Sequence, residues 1–254
     1  MTKKDNTSLF SGRVQNYIKY RPTYPPALID LLSTRCNLNP NHVIADVGSG
    51  TGILTEMLLK NGNPVYAVEP NAEMRSAAEK LLGRYPNFTS VGAGAEATTI
   101  RSQSVDYVTA AQSFHWFDHP AARMEFIRIL KSGGWVVLVW NVPRTDTPFE
   151  KEYNEFWRVD LRGAHEARDG YEALTQPFFG EKHFEQVKLE GVPQVMNRDE
   201  FIGRVLSVSA AVQPGEDGYE AFIKKVHDMF ERHQQNNLVT ISYTTEVFFG
   251  YLIM

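Results

Sequence analysis

Val43-Ile44-Ala45-Asp46-Val47-Gly48-Ser49-Gly50-Thr51-Gly52 is the stretch on which the fold turns. An apolar run of strand length, beginning at His42, meets glycines at alternate positions, and Thr51 to Asn61 then continues as a helix stopped by Gly62. Glycines there let the backbone turn sharply and approach a ligand closely, at the strand end where open α/β sheets bind ligands. The next strand, Pro64 to Val68, delivers Glu69 to the same crevice. A carboxylate in that place can accept hydrogen bonds from both hydroxyls of a ribose. A dinucleotide site of the NAD type needs glycine at the sixth position of the turn; counted from Gly48 that is Ile53, and from Gly50 it is Thr55, so that fingerprint fails.

Outward from the turn, the chain alternates between the two periodicities. Asn71 is placed to cap a helix through Leu82, with Met74, Ala77, Ala78, Leu81 and Leu82 on one face and Gly83 at its end. Phe88 to Val91 and Val105 to Ala111 are strands; Pro120 opens a helix whose apolar face takes in Met124, Ile127 and Leu130, and Gly133-Gly134 turns it into strand Trp135 to Asn141. Upstream, Ser11 to Tyr20 has helical spacing, Arg21 to Pro26 breaks it, and a helix restarts over Ala27 to Ser33. Strand–helix alternation forces right-handed crossovers and a largely parallel sheet covered on both faces. After Pro143 the pattern changes: Thr145 to Gly180 holds no sheet strand, and Phe149, Tyr153, Phe156 and Trp157 form a helical stripe suited to packing. Strand Phe184 to Leu189, helices Arg198 to Ser207 and Tyr219 to Gln234, and one strand from Leu238 to Tyr251 follow.

The glycine turn, from Asp46 to Gly52, resembles motif I of the class I S-adenosylmethionine (SAM)-dependent methyltransferases, and Glu69 stands in the place of that family's ribose-binding acid. Glu69-Pro70-Asn71-Ala72-Glu73-Met74 is similar to the family's second-strand motif, in which the methionine packs on adenine. Gly94-Ala95-Glu96 resembles the adenine-side loop, Val105 to Val108 the fourth-strand motif, and Ile129 to Gly134 the turn before the fifth strand. Gly94 brings no side chain to the adenine amine, so that contact falls to backbone or to Glu96. Ser132 replaces a common proline. The resemblance covers about Phe10 to Asn141. It implies a Rossmann-like, doubly wound α/β sheet of seven strands, mostly parallel with an antiparallel last strand, helices on both faces and a helical cap insertion. One methyltransferase domain would comprise a lid and first helices (1–40), a cofactor core (41–143), a cap (144–182) and C-terminal elements completing the sheet (183–254). The implied cofactor is SAM, held by Tyr17, Arg21, Asp46, Gly48, Ser49, Gly50, Thr51, Gly52, Glu69, Pro70, Asn71, Met74, Ala95, Glu96 and Gln112.

Ala110-Ala111-Gln112-Ser113-Phe114-His115-Trp116-Phe117-Asp118 resembles the signature of a branch that includes trans-aconitate methyltransferase-like enzymes. Tyr17, Arg21-Pro22 and Tyr24-Pro25 are similar to the segment that serves that branch as a lid. On the acceptor side His115 and Trp116 are the catalytic candidates. An imidazole can take a hydroxyl proton as a methyl arrives, or can simply shape the pocket, and a carboxylate acceptor needs no base. Aromatic faces of Tyr17, Trp116 and Phe117 can stabilise a sulfonium cation, and Arg21 can hold a carboxylate of SAM or of an acidic substrate. His115 and His119 lie four apart, but Pro120 disfavours a regular helix through both and no third ligand is evident, so no metal is expected.

The bulk numbers bound the function further. A chain of 254 residues with a formal net charge of −4 and no large Lys/Arg cluster is poorly suited to a phosphate backbone, which disfavours nucleic acid as partner. A single cysteine, Cys36, forms no internal disulfide, and Met1 to Ser8 is polar, so the cytoplasm is the expected compartment with no membrane association. The expected activity is methyl transfer to a small molecule, as O-methylation of a carboxylate or hydroxyl, by a monomer or homodimer. A non-catalytic SAM sensor and, less favourably, an NAD(P)-linked oxidoreductase are the rivals.

Overall fold

The computed structural model describes residues 14–160, 171–180 and 184–252. Strand β1 (Ile44–Val47) is buried along its whole length and sends alternate side chains into two different cores. Ile44 packs with Leu28 and Leu32 of α2 (Ala27–Arg35) and with Leu54 and Leu58 of α3 (Ile53–Lys60). Ala45 and Val47 face the other way, towards Ala122, Phe126 and Ile129 of α5 (His119–Ile129). The same division recurs on β5 (Leu130–Pro143), where Val136, Leu138 and Trp140 join one layer and Val137 and Val139 the other. A sheet covered on both faces therefore reads as near-continuous apolar runs. Asp46 is the exception within β1, and it belongs to the site.

The strands lie in the order β3 (Phe88–Val91), β2 (Val65–Val68), β1, β4 (Val105–Ala111), β5, β9 (Tyr243–Gly250) and β6 (Phe184–Glu190). β9 runs antiparallel to both neighbours, and the pairs from β3 through β5 are parallel. This is the expected seven-stranded, doubly wound sheet. Strand order reverses between β1 and β4, and at that switch point a crevice opens beyond the strands' carboxyl ends.

A second core sits beside the sheet. It draws Phe149 and Tyr153 from α6 (Pro148–Asp160), Phe201 and Val205 from α8 (Arg198–Leu206), and Phe230 from α9 (Tyr219–His233). The hairpin of β7 (Gln194–Met196) and β8 (Val239–Ile241) closes it. The stripe on α6 packs as its spacing predicts. α7 (Glu172–Phe179) instead adds Phe178 and Phe179 to the sheet's own core. α1 (Val14–Tyr20) bridges the two bodies: Val14 packs on Met74 and Ala77 of α4 (Ala72–Leu82), and Tyr20 covers Gly203 of α8 so closely that a Cβ there would lie 2.1 Å from the ring. Among the described residues no helix is long and apolar enough to cross a membrane.

Three local expectations need correction. The stretch from Leu238 to Tyr251 is two strands, because the Ser242 N–H turns to donate to Glu150 Oε1 (3.0 Å) and the chain leaves one sheet for the other there. β5 starts at Leu130, well before Trp135, with an irregularity in its pairing to β4 between Val105 and Tyr107 and a left-handed Gly133 (φ 76°) that fits a bulge. The buried face of α5 is Ala122, Phe126 and Ile129, while Met124 is 67% exposed. Asp118 caps that helix by accepting from Ala121 N–H (3.3 Å), which fixes its start and hence its rotation. Substituting Phe126 by Ala is accordingly expected to cost about 3–5 kcal/mol in urea denaturation, and Met124→Ala less than about 0.5 kcal/mol. The reverse ranking would contradict this packing.

Candidate active site

Gly48, Gly50 and Gly52 all adopt left-handed φ, at 67°, 59° and 90°. At Gly48 there is also no room, a Cβ lying 2.5 Å from Ser113 Cβ, while one on Gly52 would make Leu82 turn its Cδ1 aside. Gly50 is different: a Cβ there would make only an ordinary contact with the Tyr17 hydroxyl, at 3.8 Å. The N–H groups of Gly48 and Ser49 donate to the Val68 carbonyl (2.8 and 3.1 Å), which binds the turn to the end of β2. Glu69 completes the link: Oε2 accepts from Gly50 N–H (2.9 Å) and Oε1 from Asn71 N–H (2.8 Å). The side chain is 8% exposed, and burial raises its carboxyl above the usual value against the pull of those two N–H groups. A carboxylate has about four lone-pair positions, so two remain for a ligand. Asn71 caps α4 as its sequence position implies, accepting from Met74 N–H at 2.9 Å.

Beneath the turn, Asp46 is 1% exposed. Its Oδ2 accepts from Thr55 Oγ1 (2.6 Å) and its Oδ1 from Thr109 Oγ1 (2.8 Å). Burial outweighs the two hydroxyls and pushes this carboxyl up to about 6, with the nearby Glu69 charge adding to the rise. Asp46 lines a pocket of about 290 Å³, open space included, with Tyr17, Tyr24, Gly48, Ser49 and Ile53 among its walls. Ser49 Oγ is sealed from solvent and has no hydrogen-bond partner among the described residues. An orphaned hydroxyl near a half-used carboxylate suits a ligand rich in polar atoms.

A 3-10 turn, Phe114–Trp116, roofs this floor. Ser113 at its start donates to the Val47 carbonyl (2.9 Å), and Ser113 and Phe117 both approach Gly48. His115 and Trp116 therefore ride on a turn clamped to the first glycine, with their rings 4.9 Å apart. His119 points elsewhere: its ring stacks on Phe114 at 4.3 Å and its Nε2 lies 3.1 Å from the Phe114 carbonyl. Among the described residues no group of three or more His, Cys, Asp or Glu side chains could hold a metal ion. Glu96 Oε1 accepts from Asp118 N–H (2.8 Å), tying the loop after β3 to the exit of the turn. Gln112 sits in left-handed conformation (φ 57°) and its amide donates to the Asn141 carbonyl (3.1 Å). Thr51 and Ala95 are buried, and Pro70 is exposed. Met74 packs with Val14 beneath Tyr17 and Ile18.

The segment from Tyr17 to Tyr24 borders the pocket at both of its ends. Arg21 stacks over the Tyr17 ring at 4.6 Å and its Nη2 donates to the Ser207 carbonyl (3.2 Å). Asn141 Nδ2 donates to the Thr23 carbonyl (3.1 Å), strapping the segment to the end of β5, and Tyr24 is buried beside it. Sequence reasoning passed over Thr55, Thr109 and Asn141. A threonine inside an otherwise apolar helix face, and a polar residue ending a buried strand, were the available signals.

The Asp46 environment has a direct consequence. The native carboxyl stays protonated up to about 6, whereas the ordinary value is 3.8. Its contribution to stability is therefore full below about pH 4 and is lost as the pH rises through 6. Between about pH 5 and about pH 8 the wild type is expected to lose about 1 kcal/mol relative to Asp46→Asn in chemical denaturation. A difference that does not change with pH would contradict the buried, uncompensated carboxyl.

Comparisons with known proteins agree with this geometry. Residues 45–138 match the family model described as a methyltransferase domain, which runs from β1 into β5 and so holds the glycine turn, Glu69 and the 3-10 turn. An uncharacterized methyltransferase of Mycobacterium bovis is 36% identical over 177 residues, 70% of this chain and 68% of that protein. One of Schizosaccharomyces pombe is 29% identical over 147 residues, 58% of this chain, and the match spans only 57% of that relative's length. Among solved structures, one from Anaeromyxobacter dehalogenans described as a type II methyltransferase superposes with a TM-score of 0.67 at 23% identity, over 92% of this chain and all (100%) of that one. A SAM-dependent methyltransferase from Geobacter sulfurreducens, in complex with S-adenosyl-L-homocysteine, gives 0.55 at 14% identity, over 96% and 98%. With the seven-stranded fold, the three-glycine turn and the acid at the end of β2, the chain belongs to the class I SAM-dependent methyltransferases.

Proposed function

We propose that this protein transfers a methyl group from SAM to an oxygen of a small-molecule acceptor, a carboxylate or a hydroxyl. The observation that carries the reading is the Glu69 carboxylate bound to the Gly50 backbone, next to a pocket lined by Asp46, Gly48, Ser49 and Tyr17. The His115-bearing turn leans on Gly48 through Ser113 and Phe117, and Arg21 stacks over the Tyr17 ring. Bound there, SAM supplies an electrophilic methyl group on a sulfonium. The chain's own task is mostly alignment, and holding two reactants in line can replace a large part of a bimolecular barrier. Glu69, with two lone-pair positions to spare, suits a ribose diol; Asp46 suits a cationic amino group, reached through the small space above it. Tyr17 and Trp116 offer π faces to a positive charge. A concave site at the switch point of the sheet suits a small acceptor better than a macromolecule. The net charge of −4 points the same way against nucleic acid, and the cytoplasm is the compartment we assign.

His115 separates the two kinds of acceptor. A hydroxyl must lose its proton as the methyl arrives, and an imidazole on the roofing turn is the side chain suited to receive it. A carboxylate arrives ionised and asks nothing of His115. The test is to incubate the protein with SAM and a panel of carboxylic acids and phenols, reading S-adenosylhomocysteine release and product mass. Methylated product is expected with a subset of the panel. For a hydroxyl acceptor His115→Ala is expected to lower kcat by about 10²–10⁴-fold, and for a carboxylate to change it little. SAM binding without product from any acceptor would leave a sensor in place of an enzyme.

A further inference from the structure

Two buried guanidinium groups, Arg21 and Arg204, lie within electrostatic reach of each other. Arg204, on α8, is 3% exposed; its Nε donates to Gln194 Oε1 (3.2 Å), and its Nη1 is sealed from solvent with no partner among the described residues. Arg21 donates to the Ser207 carbonyl one turn along the same helix, and its Nε is likewise sealed and unpartnered. A third such atom, the Tyr153 hydroxyl, comes from α6. The two cations repel each other, and Tyr17, Tyr153 and Tyr243 lie within electrostatic reach of both. No carboxylate among the described residues pairs with either arginine.

Burying one charge without a counter-ion is costly, and burying two of the same sign side by side is more so. Unsatisfied buried donors add to that cost. The Tyr243 hydroxyl and the Trp157 ring, 5.7 Å from the Arg204 guanidinium, offset part of that cost, and an entering anion would offset the rest. A planar guanidinium presents a fork of N–H donors that matches a carboxylate, and a phenolic hydroxyl can complete the set. We propose that Arg204 and Tyr153, with Arg21 beside them, form an anion subsite that takes a carboxylate of the acceptor and so selects acidic substrates.

This deepens, and rests on, the methyl-transfer reading above. Two carboxylates could in principle occupy the cluster, one from the acceptor and one from the amino-acid end of SAM. Placement favours the acceptor. The pocket at the glycine turn is lined by Tyr17 and Tyr24 but by neither Arg204 nor Tyr153, which belong to the cap. Arg21 lies against the Tyr17 ring, whose hydroxyl end approaches Gly50, so the anion subsite begins about one ring's breadth from the cofactor wall.

The test uses the full chain saturated with S-adenosylhomocysteine, titrated with succinate, tricarballylate and benzoate, with succinamide as the uncharged control. At least one acid is expected to bind and succinamide is not. Arg204→Met should weaken that acid by about tenfold or more, and Tyr153→Phe by about threefold, with S-adenosylhomocysteine affinity unchanged in both. Tyr153→Phe removes only an unpartnered hydroxyl and keeps the test open should Arg204→Met fail to fold. Equal acid binding by the wild type and the variants, or no acid binding at all, would overturn the proposal. Loss of S-adenosylhomocysteine affinity in Arg204→Met, with acids inert, would give the cluster to the cofactor's own carboxylate. Wild type that fails to bind S-adenosylhomocysteine would instead defeat the methyl-transfer reading, and acid titration of the free protein would then judge the arginine cluster alone.

Discussion

The Glu69 carboxylate holding the backbone of Gly50 is the interaction from which the rest of the site follows. It joins the loop after β1 to the loop after β2, across the reversal in strand order that opens the crevice. Its other oxygen fixes Asn71, which caps α4, so one side chain sets both the glycine turn and the entry to the next helix. The turn around that bond takes left-handed conformations at alternate residues, and Gly48 could not carry a side chain where Ser113 approaches. Conformation, packing and ligand geometry thus place the same demand on the same few residues.

Around that centre the protein gives up stability in identifiable places. Asp46 is buried deeply enough to hold its proton to about 6, Ser49 keeps an orphaned hydroxyl, and Gln112 sits at positive φ at the end of β4. Two arginines without counter-ions among the described residues add to the list. Such violations are expected where a site is built and not in a plain packing core. The two faces of the sheet and the cap core compensate: each is a continuous body of apolar side chains, and α1 ties the cap to the sheet through Tyr20 on Gly203 and Val14 on Met74.

Most of the glycine turn and its partner acid was legible in the sequence because it is local. Gly48, Gly50, Gly52 and Glu69 lie within one strand–turn–helix–strand unit, and short-range spacing carries their meaning. The parallel strands were legible for a related reason, since burial on both faces makes them apolar without interruption. What escaped is non-local. The rotation of α5 depends on an Asp118 cap, and Met124 is a good apolar residue that simply faces water. The break at Ser242 depends on Glu150, far away in sequence. Arg204 and Tyr153 sit on helices that read as ordinary amphipathic ones, and only their approach to Arg21 marks them. His115 and Trp116 are candidates through a resemblance alone, and the 3-10 turn that carries them has no periodic signal of its own.

The central claim is that the glycine turn and Glu69 form a cofactor wall for SAM. Calorimetric titration with S-adenosylhomocysteine, of wild type and of Glu69→Ala, tests it most directly, with NAD as control. The account predicts micromolar binding to the wild type, a loss of about tenfold or more in the variant, and no binding of NAD. Equal affinity in the two proteins, or a wild type that binds NAD in place of S-adenosylhomocysteine, would contradict it.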